Sequence, residues 1–359
     1  MKSKLGWAAA GCVLVLLGGT WACSVGQPAN PYYDSAKRHH TKDGFRNNFA
    51  QKPRGGFWKW KWEKFWSGVP LEPEGGFHPD VLKPTAEELE ANPAITWIGH
   101  ATLLLRVGGV TVLTDPHFSE RASPFSFMGP KRLVPPALKL KELPRVDVVL
   151  ISHNHYDHLD RASVQGLNAQ PGGAPRFFVP LGLKPWFAEK GIVNVVELDW
   201  WQKRSYLGLT LNLTPTQHFS ARGVGDTNQT LWGGWVVEHP TFRFYFAGDT
   251  GYSADFAEIG RRFGPIDLAA ISIGAYEPRW FMGAMHVNPG EAVKIHQDLK
   301  ARFSVGMHWG TFEMTDESID QPPKALATAL KAAGISPKRF FLMKHGEVRR
   351  LDEPRVRRD

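Results

Sequence analysis

The chain has 359 residues, enough for one large or two ordinary domains, and its 42% hydrophobic, 12% aromatic and 22% charged composition excludes whole-chain disorder, collagen and long coiled coil. Its two cysteines, Cys12 and Cys23, sit near the N-terminus, so no disulfide framework holds the fold and any metal site downstream is built from histidine and carboxylate. The formal charge of +8 comes from scattered basic residues without a helix-turn-helix, zinc-finger or RNA-binding signature, which argues against nucleic acid as a partner.

Residues 1–22 have the layout of a secretory signal peptide: Lys2 and Lys4, an apolar run from Leu5 to Leu17, then small residues. The mature protein is therefore expected in a bacterial cell envelope. Ala22-Cys23 suggests lipoprotein processing, which would put an acylated Cys23 at the periplasmic face, the outer membrane being slightly favoured because Ser24 carries no retention charge. Ordinary cleavage nearby and a retained anchor are the alternatives. Residues 23–90 form a polar lead-in punctuated by Pro and Gly. Within it Trp58, Trp60 and Trp62 alternate with Lys59, Lys61 and Glu63, and Phe65 and Trp66 follow. This reads as an extended segment with one aromatic face, suited either to a lipid interface or to lying on the core.

Residues 91–359 read as one domain. Strands are predicted at Ile95–Ile98, Leu103–Val107 and Val110–Thr114, with Gly108-Gly109 as the turn between the last two, and at Asp147–Ser152. Further strands are predicted at Leu209–Thr214, Trp235–Glu238, Arg243–Ala247, Leu268–Ile273 and Phe303–His308. Helices are predicted at Asp160–Asn168, Ser253–Phe263, Pro289–Lys300 behind an Asn288 cap, and Pro323–Ala333 closed by Gly334. Runs of strands with helices between them imply two sheets packed face to face and covered by helices.

The loop His153-Asn154-His155-Tyr156-Asp157-His158 holds four metal-ligand side chains in six residues. In an extended chain His153 and His155 point the same way, and the turn that follows aims Asp157 and His158 at a neighbouring point, so one loop can serve two ions. Further ligands stand at predicted strand ends: His218, Asp249 and His308. Two divalent ions held there would lower the pKa of a shared water and stabilise charge on attacked and leaving oxygens, which is hydrolase chemistry. Zinc suits imidazole and carboxylate, and manganese or iron would also fit. Asp115, in Thr114-Asp115-Pro116, reads either as an acceptor that orients a ligand histidine or as a turn residue, and His100 is similarly open.

The order His-x-His-x-Asp-His, then His, Asp and His, resembles the metallo-β-lactamase superfamily, an α/β (α+β) fold built as an αββα sandwich of two mixed sheets flanked by helices. That resemblance implies a first metal at His153, His155 and His218, a second at Asp157, His158 and His308, and Asp249 as the bridge, with Asp157 and Asp249 acting with the water between the metals. Longer blocks, among them Met128-Gly129-Pro130-Lys131-Arg132, Leu198-Asp199-Trp200-Trp201, Gly274 to Met282 and Lys344-His345-Gly346-Glu347, resemble the N-acyl-phosphatidylethanolamine-hydrolysing phospholipase D family. The resemblance implies two zinc ions, a phospholipid substrate met at a membrane surface, and cleavage to N-acylethanolamine and phosphatidic acid. It maps substrate contacts to Tyr156 and His286, with a structural cap of the following helix as the alternative reading of His286. Ala221 stands where the animal enzymes contact bile acid, so that regulation is not carried over. Trp201, Trp280, Phe281 and Met282 are candidates for an acyl groove. A lactonase or other phosphodiesterase of the same fold is the alternative, and a non-catalytic metal-binding lipoprotein a remote one. Oligomeric state is not legible here, and a homodimer is compatible with the sequence.

Overall fold

A computed structural model describes residues 29–50, 75–351 and, between them, 56, 59, 60, 62–64 and 73. The signal peptide, Cys12 and Cys23, and with them Trp58, Lys61, Phe65 and Trp66, lie outside the described residues. Among the described residues no helix is long and apolar enough to cross a membrane.

The small hairpin β1 (His40–Thr41) and β2 (Gly44–Phe45) and the capped turn α1 (Ala86–Leu89) precede an antiparallel meander of β3 (Ala94–Gly99), β4 (Thr102–Val107) and β5 (Val110–Thr114). Gly108 and Gly109, with φ of +59° and +77°, make the two-residue turn between β4 and β5. Parallel strands β6 (Val148–Leu150), β7 (Arg176–Pro180) and β8 (Val195–Leu198) extend this sheet, joined by α2 (Arg161–Asn168) and α3 (Lys184–Ala188). The second sheet starts antiparallel with β9 (Lys203–Tyr206), β10 (Leu209–Thr214), β11 (Gly234–His239) and β12 (Phe242–Phe246). It continues parallel: α4 (Asp255–Phe263), β13 (Leu268–Ser272), α5 (Arg279–Met282), α6 (Pro289–Asp298), β14 (Phe303–Met307), α7 (Gln321–Ala333) and β15 (Phe340–Phe341). Finally β16 (Val348–Arg350) returns to pair with β3. The result is two seven-stranded mixed sheets, ordered β15-β14-β13-β12-β11-β10-β9 and β16-β3-β4-β5-β6-β7-β8.

The two-residue period of each strand sorts its side chains between two cores. Leu103, Leu105, Val148, Leu150 and Phe178 point into the inter-sheet core with Leu211, Leu213, Trp235, Phe244 and Phe246. Their neighbours Leu104, Val149, Ile151, Phe177 and Val179 face the other way, packing with Val164 and Leu167 of α2 and Phe187 of α3. Across the second sheet, Phe256 and Ile259 of α4, Val293 and Ile295 of α6, and Leu326 and Leu330 of α7 join the first of these cores. Helices thus cover both outer faces.

The predicted Asn288 cap and Gly334 stop hold, while one end of each helix moves by one or two residues: α2 starts after Asp160, α4 starts at Asp255, α6 stops at Asp298 and α7 starts at Gln321. Asp160 caps α2, and Gly334 closes α7 in the left-handed region at φ +63°. Asn288 caps α6 reciprocally: its Oδ1 accepts from Glu291 N–H at 2.9 Å, while Glu291 Oε2 accepts from Asn288 N–H at 3.0 Å. Asn288→Ala is expected to cost about 1 kcal/mol, read as a lower urea midpoint with unchanged slope.

The aromatic lead-in differs from its expected extended form, because residues 59, 60 and 62–64 are helical. Helical spacing brings Lys59 within 3.7 Å of Glu63 and Lys64 over the Trp60 ring at 5.6 Å, both i,i+4 neighbours. Trp60 is buried on the core, stacked on Phe281 at 5.2 Å and donating from its indole N–H to Asp316 at 2.9 Å, whereas Trp62 is 65% exposed.

Candidate metal centre

Strands β6, β10, β12 and β14 end in irregular chain at one margin of the sandwich, and each delivers a ligand-type side chain just past its last residue. β6 runs into the loop His153 to His158, β10 into His218, β12 into Asp249 and β14 into His308. In open α/β sheets the carboxyl ends of strands are where such crevices form. His100, Asp115 and His308 hold positive φ values of 53°, 32° and 61°, backbone strain of the kind concentrated at functional sites.

The sequence-predicted residues fall into two clusters. In the first, His153 Nε2 lies 2.8 Å and His218 Nε2 3.3 Å from His155 Nδ1. In the second, His158 Nε2 lies 3.1 Å from Asp157 Oδ2 and 3.2 Å from His308 Nε2, which is itself 3.4 Å from Asp157 Oδ2. Asp249 stands between them: its Oδ2 is 3.0 Å from His158 Nε2 and 4.0 Å from His218 Nε2, and its Oδ1 is 3.1 Å from His308 Nε2. All seven are buried except His155, which is partly so. Within each cluster the ligand atoms lie within 4.8 Å of one another, so each can hold a metal ion.

Neighbouring groups orient these rings. Asp115 accepts from His158 Nδ1–H at 2.7 Å, from the Ser152 hydroxyl at 2.5 Å and from Ser152 N–H at 2.7 Å. The Met285 carbonyl accepts from His218 Nδ1–H at 2.9 Å, which leaves Nε2 of a neutral ring as the bare lone pair facing His155. His100 Nε2 meets Asp157 Oδ2 at 3.0 Å. Asp115 is therefore placed behind His158, and the open reading of His100 closes as a partner of Asp157.

Electrostatics separate the clusters. Burial, reinforced by neighbouring histidines, pushes His153 and His218 well below the usual histidine range, and burial takes His155 down to about 4. The facing nitrogens of three neutral imidazoles, two of them with Nδ1–H turned outward, share at most one N–H among them, whereas a cation can accept a lone pair from each. In the second cluster burial is outweighed by charge. Asp249 and then Asp157 hold His158 well above its ordinary value, and Asp249 with Asp157 brings His308 up to about 9. Both carboxylates are driven well below their usual range in return, despite burial, by His158 with His308 and, for Asp157, His100. Carboxylates that favour positive charge at both imidazoles so strongly make a donor set that fits a pair of divalent ions.

Of the two residues predicted from the sequence to contact substrate, His286 lies near the clusters, its Nδ1 3.9 Å from Asp249 Oδ2 and without a hydrogen-bond partner among the described residues. It does not cap α6, a role Asn288 fills. Tyr156 donates its hydroxyl to the Arg222 carbonyl at 2.9 Å, and the Arg222 guanidinium lies 4.0 Å above its ring. The acyl-groove candidates have separate surroundings: Trp201 lies under Arg262 at 4.0 Å, whereas Trp280 sits beside Phe281 at 5.7 Å and under Lys59 at 4.7 Å.

Residues 110–309 match the family described as Beta-lactamase superfamily domain. Over 279 residues the chain is 43% identical to N-acyl-phosphatidylethanolamine-hydrolyzing phospholipase D 1 of Caenorhabditis elegans, covering 74% of this chain and 78% of that protein. The chain belongs to the N-acyl-phosphatidylethanolamine-hydrolysing phospholipase D family of the metallo-β-lactamase superfamily. An uncharacterized protein of Mycobacterium tuberculosis is also similar, 42% identical over 72% of this chain and 68% of its own length. A possible metal-dependent hydrolase of Veillonella parvula shares the fold, with a TM-score of 0.57 at 21% identity over 72% of this chain and 99% of that one. With its two His/Asp clusters, this member of the phospholipase D family is a metal-dependent hydrolase of metallo-β-lactamase fold.

Proposed function

We propose that the protein is a zinc-dependent phosphodiesterase that hydrolyses N-acyl-phosphatidylethanolamine to N-acylethanolamine and phosphatidic acid. The observation that carries the reading is the placement of Asp249 between the two clusters, within 4.0 Å of His218 on one side and 3.1 Å of His308 on the other. A first zinc would be held by His153, His155 and His218, a second by Asp157, His158 and His308, with Asp249 shared. Such ions lower the pKa of water towards neutrality and neutralise charge on a phosphoryl group. The chain's own part is to fix this donor set: Asp115 locks His158, Met285 locks His218 and His100 backs Asp157. His286, whose Nδ1 makes no hydrogen bond among the described residues, would contact a phosphate oxygen, and Tyr156 would do so after rotating off the Arg222 carbonyl.

Identity to the C. elegans enzyme supports the lipid substrate, and the 65% exposed Trp62 of the lead-in supports a substrate met at a membrane surface. We assign the mature protein to a bacterial cell envelope, tethered through Cys23, on the layout of residues 1–23. The test is incubation of the zinc-loaded protein with N-acyl-phosphatidylethanolamine in mixed micelles. Release of N-acylethanolamine is the expected result; turnover of a generic phosphodiester or lactone alone would overturn the lipid assignment while keeping the hydrolase.

Asp115 supplies a second, independent check. In Asp115→Asn the amide can present N–H where His158 Nδ1–H now finds a carboxylate, so the ring loses its anchor. Loss of such a partner typically weakens metal binding ~10–100-fold, measurable by competition with a chromogenic chelator.

A further inference from the structure

The matched family domain begins at residue 110, yet a segment far upstream lies against the metal centre. Asn47 Nδ2–H donates to the His218 carbonyl at 2.8 Å, and Asn47 Oδ1 accepts from the His218 N–H at 3.1 Å. The same Oδ1 accepts from the Trp232 indole N–H at 3.1 Å. One side-chain amide therefore grips the backbone on both sides of the His218 Cα, as a neighbouring strand would. His218 lies past the end of β10, in irregular chain, where this side-chain amide takes the place of a strand neighbour. Its neighbour Gln217 is held by the same segment, its Nε2–H donating to the Phe49 carbonyl at 3.1 Å.

The segment is itself tied down at both ends. Near Asn47, the Asn48 amide donates to Asp255 at 2.8 Å, and Phe45 N–H donates to the Asn228 carbonyl at 2.8 Å. At the far end three residues converge on Asp199, whose side chain is 1% exposed: Lys37 Nζ at 2.6 Å, His39 Nε2 at 2.7 Å and His40 Nε2 at 3.0 Å. The His39 ring also stacks on Trp200 at 4.4 Å. Lead-in residues 29–50 thus form a strap clamped to the domain at Asp199, and its Asn47 reaches the ligand loop.

We infer that Asn47 is a positioning residue of the metal centre, setting the His218 backbone so that the ring Nε2 meets His153 and His155. The inference rests on the reading of these three histidines as one metal position. The ring is fixed at Nδ1 by Met285 and the main chain by Asn47, so its direction is determined from two sides. Release of the main chain lets the ring translate, and a displacement of even ~1 Å is costly at such a site.

The test is zinc binding by the full chain, with zinc alone as the probe, measured by chelator competition on wild type, Asn47→Ala and Asn48→Ala, with cobalt(II) substitution as a spectroscopic readout. Wild type is expected to take two ions. Asn47→Ala is expected to weaken one of the two binding constants ~10-fold or more, the size of an orienting partner's loss, and to shift the visible spectrum of cobalt at that position. Asn48→Ala, which loosens the same strap without touching His218, is expected to leave both constants unchanged. Equal losses in the two variants would make Asn47 a docking residue and overturn the proposal, as would an Asn47→Ala protein with wild-type constants. Should Asn47→Ala fail to fold, Asn47→Asp keeps the acceptor for His218 N–H and Trp232 but loses the donor to the His218 carbonyl; an unchanged constant there would equally overturn it. A wild type that binds no zinc overturns the metal-centre reading itself, an outcome distinct from the others.

Discussion

Asp249→Asn is expected to lower kcat/KM by about 10³-fold or more while the chain remains folded. Asp249 is 3% exposed and is the carboxylate that faces both clusters, with one oxygen toward His158 and His218 and the other toward His308. Asparagine preserves its shape and can still take the weak 3.4 Å bond from the Ser272 hydroxyl, so the sandwich has no reason to rearrange. The negative charge between the two positions is lost. Metal-based charge stabilisation is worth several kcal/mol, and at 1.36 kcal/mol per decade a loss of roughly 4 kcal/mol is the factor stated. The measurement is steady-state kinetics beside metal content. A variant within tenfold of wild type would show that Asp249 is not the shared ligand. Zinc uptake should also fall as pH drops, because the second cluster can take metal only after His158 and His308 give up the protons that Asp157 and Asp249 stabilise on them.

How much of this was legible in the sequence depends on the range of the interaction that decides each feature. Leu103 to Val107 alternates between two cores and ends at Gly108-Gly109, so period and turn chemistry alone locate β4 and β5. The candidate ligands share that local character: each follows a recognisable strand, and four of them sit in one loop. Strands that owe their existence to distant partners left no such mark. Val348–Arg350 is a strand because it pairs with Ala94–Thr96. Lys203–Tyr206, whose first three residues are exposed, has no apolar face to betray it. The alternation of Trp58, Trp60 and Trp62 suggested an extended face, but burial of Trp60 is set by Phe281 and Asp316, residues more than two hundred positions away. Asn47 is the extreme case: an asparagine in a polar lead-in, whose meaning comes only from the loop 171 residues later that folds onto it.

His345→Gln is expected to flatten the acid side of the stability profile. His345 is 1% exposed, stacked on Trp97 at 4.2 Å, with Nε2 on the Thr311 hydroxyl at 3.1 Å and its backbone bonded to Leu82. The ring is packed tightly enough that a Cβ on Gly99 would lie 3.2 Å from it, which leaves no room for water to solvate a charge. Burial first, and then the positive charge of Arg132, take its pKa from 6.5 down to about 3. The unfolded chain therefore binds a proton that the folded chain refuses throughout that window, and stability falls as pH falls from 6.5 towards 3. At about 1.36 kcal/mol per pH unit, the full window amounts to roughly 4–5 kcal/mol, of which about 2 kcal/mol is lost by pH 5. Glutamine can keep the bond to Thr311 but cannot titrate. At neutral pH the variant should be the less stable protein, since it gives up the stacking on Trp97. Between pH 6.5 and 5 its deficit should shrink by roughly 2 kcal/mol, because wild type alone carries the cost of the refused proton. Urea denaturation of both proteins across that range, with the same metal content, gives the comparison; two parallel curves would mean that the buried ring can accept its proton without penalty.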